Sequence, residues 1–60
     1  MPWTLDDYPV SMRHLPAPVL AKAIDIANAL LDEGYEEGRA IRMAIAAARK
    51  WAARHPEAWR

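Results

Sequence analysis

Along residues 19–33 the apolar side chains Val19, Leu20, Ala23, Ile24, Ile26, Ala27, Leu30 and Leu31 recur at steps of three and four. That spacing is the period of a helix with one apolar face, and it predicts a first helix over about residues 18–33. Pro16 and Pro18 set its start, because proline fits the first helical turn, where its missing N–H costs nothing. Gly34 sets its stop by taking the left-handed conformation of a helix end, with Tyr35 placed to pack back on Leu30. A second run follows over about residues 36–55, in which Ala40, Ile41, Ala44, Ile45, Ala47, Ala48, Trp51 and Ala52 share one side at about 100° per residue. Six alanines lie between Ala40 and Ala52, and alanine is the best helix former. Glu36 and Glu37 suit the positive end of this helix dipole, and Arg49, Lys50 and Arg54 its negative end. Pro56 ends the helix near His55, which leaves residues 56–60 as a tail expected to fray.

Residues 1–17 read as an arm, rich in proline and irregular. Asp6-Asp7-Tyr8-Pro9 has the composition of a turn, and Ser11-Met12-Arg13-His14 fits one helical turn capped by Ser11. No alternating segment long enough for a strand occurs, nor any internal repeat. The expected fold class is therefore all-α, a single small domain. Two main helices joined at residues 34–35 form a hairpin, and the arm wraps it.

The first helix carries more apolar surface than one neighbour covers. Its stripe from Ile26 through Leu30, Ala23, Ala27, Leu20 and Leu31 to Ile24 spans about 160°, against the roughly 100° of a minimal amphipathic face. Small residues on the second helix (Ala40, Ala44, Ala47, Ala48) permit close approach, but the remaining surface needs another cover. Either the arm supplies it, through Trp3, Leu5, Tyr8, Val10, Met12 and Leu15, or a second copy of the chain does, giving a homodimer. Trp3 is correspondingly an anchor folded onto the helices or a projecting contact for another protein. Asn28 borders the stripe, so a half-buried amide bonded to the arm's backbone is expected there.

Composition narrows the chemistry. The 60 residues contain no cysteine, which removes zinc ribbons, disulfides and thiol nucleophiles and suits a reducing cytoplasm. No apolar run approaches the roughly 18–20 residues of a membrane span, and the amino end lacks the basic-then-apolar layout of a signal peptide. His14 and His55 have no partner residues at metal-binding or nucleophile-activating spacing. The paired acids Asp6-Asp7, Asp32-Glu33 and Glu36-Glu37 sit at turns or helix ends, where acids are ordinary. Gly34-Tyr35-Glu36-Glu37-Gly38 lacks the Gly-Lys-Ser/Thr ending of a phosphate-binding loop. No catalytic constellation, cofactor or metal is therefore expected.

Charge is less evenly spread than the net value of zero suggests. Residues 1–38 hold seven acids against two bases, a net −5, and residues 39–60 hold six bases against one acid, a net +5. On a helical wheel Arg39, Arg42, Arg49, Lys50 and Arg54 fall together, opposite the apolar stripe of the second helix. The face reads in two ways: as a footprint for phosphates, with Trp51 or Trp59 as stacking platforms, or as a solvated surface that balances the acidic half.

The run Asp7-Tyr8-Pro9, Leu15-Pro16, Ala27-Asn28 and the Ala-rich basic stretch closing at Trp51 resembles the short bacterial ChaB-type family, described as regulators of cation transport. Related uncharacterised stress-associated proteins share Met-Pro-Trp, Tyr-Pro, Ala-Asn-Ala-Leu and Glu-Gly-Tyr-Glu-Glu-Gly-Arg-Ala-Ile. The chain departs from the ChaB pattern in having Ala27 where an aromatic is typical. The resemblance implies a small non-enzymatic cytoplasmic accessory protein in a stress or transport-regulatory setting, and it brings no catalytic residues.

Taken together, these features point to an interaction or regulatory protein that binds another macromolecule through the apolar and basic surfaces named above. The alternative is a nucleic-acid-binding module using the basic face.

Overall fold

A computed structural model describes residues 2–59. Two helices dominate, α1 over Ala17–Asp32 and α2 over Glu37–Arg54, each flanked by one short 3-10 turn, Val10–Met12 before α1 and Pro56–Ala58 after α2. The helices form an all-α hairpin and pack along one another, with no strand among the described residues.

The ends of α1 follow from local chemistry. Pro16 is the residue before the helix, its carbonyl accepts the first intrahelical bond from the Leu20 N–H at 2.7 Å, and Pro18 lies in the first turn. Proline there removes one of the amides that no helical carbonyl satisfies. At the other end Gly34 adopts φ +98°, Gly34 N–H donates to Leu31 O at 3.0 Å and Tyr35 N–H to Leu30 O at 3.1 Å. This pair of bonds is a Schellman closure, which satisfies terminal carbonyls and requires a left-handed residue at the glycine position.

The connection to α2 runs through Glu36, which stands just before the helix instead of inside it. Its side-chain Oε1 accepts from the Arg39 N–H at 3.0 Å, so a glutamate performs the capping that a shorter Ser or Asp usually does. Glu37 in the first turn and Arg54 in the last complement the helix dipole.

The buried face of α2 is alanine at every fourth position: Ala40, Ala44, Ala48 and Ala52. The bulk comes from the other side, from Val19, Leu20 and Ile24 of α1 and from Met12 and Leu15 of the arm, all buried. Ala47, expected on the inner stripe, is exposed, because it lies at the edge of an arc that these four alanines already fill.

The arm therefore supplies a large part of the missing cover. Met12 is fully buried, Leu15 nearly so, and Trp3 and Tyr8 pack against the same cluster. Leu5 and Val10, also expected as covering side chains, point outward and are 59% and 78% exposed. Two local expectations change. The turn occupies residues 4–7, not 6–9, with Thr4 N–H donating to Asp7 O at 3.0 Å and Asp7 N–H to Thr4 O at 3.2 Å. Thr4 Oγ1 also accepts from the Asp6 N–H at 3.2 Å. The helical turn begins after Pro9 with no side-chain cap, and Ser11 lies inside it, so its hydroxyl is two residues too late to cap.

The cover is uneven along the hairpin. Where the arm lies, the α1 stripe is sealed, but Ile26, Leu30 and Leu31 toward the turn end are only half-buried, as are Ile41 and Ile45 on α2.

Candidate functional site

Two features organise the surface. The first is the clamp that holds the arm. Asn28 is a buried polar side chain on α1, 3% exposed. Its Oδ1 accepts from the Trp3 N–H at 3.2 Å and its Nδ2 donates to the Trp3 carbonyl at 2.9 Å. A carboxamide offers an acceptor and a donor side by side, so it pairs with both backbone groups of one residue as a neighbouring strand would. This orients the Trp3 ring toward the helices, where it packs half-buried on the core cluster. Removing the amide leaves two arm backbone groups to find water. Asn28→Ala is expected to lower stability by about 1–3 kcal/mol, the usual consequence of unsatisfied buried polar groups. Urea unfolding measures that loss, and faster hydrogen exchange at the Trp3 amide identifies the arm as its origin.

The second feature lies at the open end of the hairpin. Trp59, in the tail expected to fray, folds back and donates its indole Nε1–H to the Ala52 carbonyl at 2.8 Å. The last carbonyls of a helix lack intrahelical donors, and the Pro56–Ala58 turn brings the indole within reach of one. Pro56 thus reverses the chain as well as ending α2. Between this tail, the end of α2, the start of α1 and the arm lies an open cleft of about 330 Å³. It is lined by Leu15, Pro16, Val19, Ala52, Ala53 and Trp59, with His14 and Arg49 as its polar members.

The two polar members are bonded to each other, Arg49 Nη2 to His14 Nε2 at 2.9 Å. Arginine has no acceptor, so the guanidinium donates and His14 Nε2 accepts, placing the imidazole proton on Nδ1. The guanidinium carries five N–H donors, and this bond uses one of them. Among the described residues no carboxylate lines the cleft.

Arg39, Arg42, Arg49, Lys50 and Arg54 are all exposed along α2. Among the described residues the ion pair is His55–Glu57 at 3.3 Å, so none of these five cations is matched by a carboxylate. The Arg39 guanidinium lies 6.0 Å from the Tyr35 ring centroid, a contact across the helix junction of the cation–π type. The two tryptophans proposed as stacking platforms part company. Trp51 is half-buried, with the Lys22 ammonium 5.6 Å from its ring centroid and the His55 ring at 5.6 Å, so its faces are engaged. Trp59 remains 38% exposed at the cleft.

Of the core residues named from the sequence, Leu20 and Ile24 are buried, while Trp3, Ile26, Leu30, Leu31, Ile41, Ile45 and Trp51 are half-buried around them. Gly34 and Tyr35 close α1, with the Tyr35 side chain 38% exposed. The cleft itself escaped sequence reasoning, because it joins four segments whose proximity no periodicity encodes. The available signal was Trp59 standing shortly after Pro56, close enough to return to the helix it follows.

Comparison with known proteins adds one relative. The chain is 62% identical over 52 residues, 87% of its length, to the uncharacterized protein YdaT of Bacillus subtilis (strain 168), and it spans 35% of that protein. No protein-family model matches the chain, and no solved structure matches it. No helix among the described residues is long and apolar enough to cross a membrane.

Proposed function

We propose that this chain is a non-enzymatic interaction module that binds another macromolecule, in a cytoplasmic regulatory or stress setting. The observation that carries the reading is the apolar cleft with an arginine among its lining residues, continuous along α2 with further unmatched cations. An open apolar cleft with a partly exposed indole favours an occupant that removes that surface from water, and the cations give that occupant a preferred charge. The resemblance to ChaB-type regulators and related stress-associated proteins supports the same class, and the transport-regulatory role belongs to this proposal. The half-buried side chains at the turn end of the hairpin offer a second contact area, for a homodimer or for a protein partner.

The test is capture from bacterial cell extract combined with light scattering of the purified chain. A partner retained at raised salt, or a defined dimer, supports the reading. A strictly monomeric chain that enriches nothing overturns it.

A nucleic-acid partner is the second reading, favoured by the five unmatched cations. Such binding follows counterion release and weakens steeply with salt, whereas an apolar contact hardly responds. Replacing Arg42, Arg49 and Lys50 with alanine is expected to flatten the salt dependence by about three phosphate contacts' worth of slope. No DNA or RNA binding at low salt ends this reading.

A further inference from the structure

We infer that the cleft at the open end of the hairpin receives one apolar side chain from an acidic segment of a partner protein, and that Arg49 takes a carboxylate flanking that side chain. This inference rests on the interaction-module reading and specifies its partner.

Three observations define the occupant. The first is size: the cleft measures about 330 Å³, near the lower end of the roughly 300–1,000 Å³ typical of ligand sites. Benzene fits in about 150 Å³, so a leucine or phenylalanine side chain has room and a large cofactor does not. The second is lining: Leu15, Val19 and Ala52 form an apolar floor and are buried, while the exposed indole of Trp59 walls one side. The Trp59 N–H is already spent on the Ala52 carbonyl, so the indole presents the cleft with an apolar surface.

The third observation is charge. Among the described residues Arg49 is the cation of the cleft, and no acid lines it. Its bond to His14 draws the guanidinium toward this end of the hairpin, and the planar fork suits a carboxylate. Lys50 and Arg54 are exposed on adjacent turns of the same helix, without a carboxylate partner among the described residues. A segment with an apolar residue between acids satisfies the cleft and these cations together. A nucleic acid would satisfy the cations and stack a base on the exposed Trp59 ring, but it has no aliphatic side chain to seat on the Leu15, Val19 and Ala52 floor. A second copy of this chain carries exposed apolar side chains beside acids at Leu5-Asp6-Asp7 and at Tyr35, between Glu33 and Glu36, so self-association is the competing outcome that the experiment separates from binding of a partner segment.

The experiment titrates the isotope-labelled full chain with the synthetic peptide Gly-Asp-Glu-Leu-Asp-Glu-Gly, blocked at both ends, and follows the Trp59 indole N–H and the Ala52 and Ala53 amides by NMR. Saturable shifts at these groups are expected. A peptide with serine for leucine, or with lysine for every acid, is expected to bind about tenfold more weakly or not at all. Ala53→Phe fills the cleft from an exposed helical position, and Arg49→Ala removes the guanidinium. Each is expected to weaken the parent peptide about tenfold, with circular dichroism confirming an intact fold.

Absence of saturable shifts at Trp59, or peptide binding that survives Ala53→Phe, overturns the inference. So does displacement of the peptide by a 20-base-pair DNA duplex, which would make the cations a phosphate site. Shifts at the same groups on concentrating the chain alone also overturn it, because a second copy would then be the occupant. If Ala53→Phe and Arg49→Ala still capture the same macromolecule from extract, the cleft assignment falls while the interaction-module reading stands.

Discussion

Ile24→Asp is expected to leave the chain unfolded at 25 °C. Ile24 is 6% exposed in the α1 stripe, within a cluster whose other members are apolar side chains of the arm and of both helices. The substitution removes a buried aliphatic side chain, which alone costs about 2–5 kcal/mol when truncated. It also places a carboxyl group where no donor awaits it, costing several kcal/mol whether it stays charged or neutralises. A chain of 60 residues has only about 3–9 kcal/mol of stability in all, at 0.05–0.15 kcal/mol per residue. The two penalties together consume that margin. Loss of the helical signal at 222 nm and collapse of amide dispersion are the expected readouts. Ile24→Val keeps the shape, costs about 0.5–1.5 kcal/mol, and stays folded. A folded Ile24→Asp protein with native dispersion would show that α1 buries a different face.

Met12→Ala is the second large effect, and it isolates the arm. Met12 is the largest fully buried side chain, although it sits in a three-residue 3-10 turn with no capping side chain. The turn's own hydrogen bonds cannot hold it in place, since short 3-10 segments are marginal. Burial of the thioether chain is what fixes the arm across α1 at this point. Truncation to alanine opens a cavity and is expected to cost about 2–5 kcal/mol. At about 4–8 °C per kcal/mol for a domain of this size, the melting temperature falls by about 8 °C or more. If the arm leaves the hairpin before the helices separate, the urea slope falls as well, because less surface remains to be exposed in the main transition. A change below 1 kcal/mol would mean that the arm contributes little to the core.

Which parts of this molecule could be read from sequence follows from the range of the forces involved. The helices are written in local terms, in the period of Val19, Leu20, Ala23 and Ile24 and in the alanines of α2, and the stops at Gly34 and Pro56 are equally local. The need for a third cover over α1 was also legible, since it is the mismatch of two stripe widths on one chain. Where the arm crosses was less so. Residues 4–7 turn, rather than 6–9, because Thr4 and Asp7 exchange backbone bonds and because the Trp3 backbone is held by Asn28, a residue 25 positions away. That contact has no sequence period. The same holds for the cleft, whose walls come from the arm, both helices and the tail. The pairing of Arg49 with His14 across 35 residues ties an exposed basic side chain of α2 to the arm, and no count of charges reveals it.

The alanine ladder on the inner side of α2 has a last implication. Methyl groups have no rotamers to choose and almost no volume to vary, so along its centre this helix docks by backbone approach, with Ile41, Ile45 and Trp51 packed at the flanks. Its exposed positions, such as Arg42, Arg49, Lys50 and Arg54, lie outside the buried core cluster. Mutational drift can therefore rewrite the outer positions nearly letter by letter, and with them the identity of whatever binds, while the scaffold beneath remains unaware of the change.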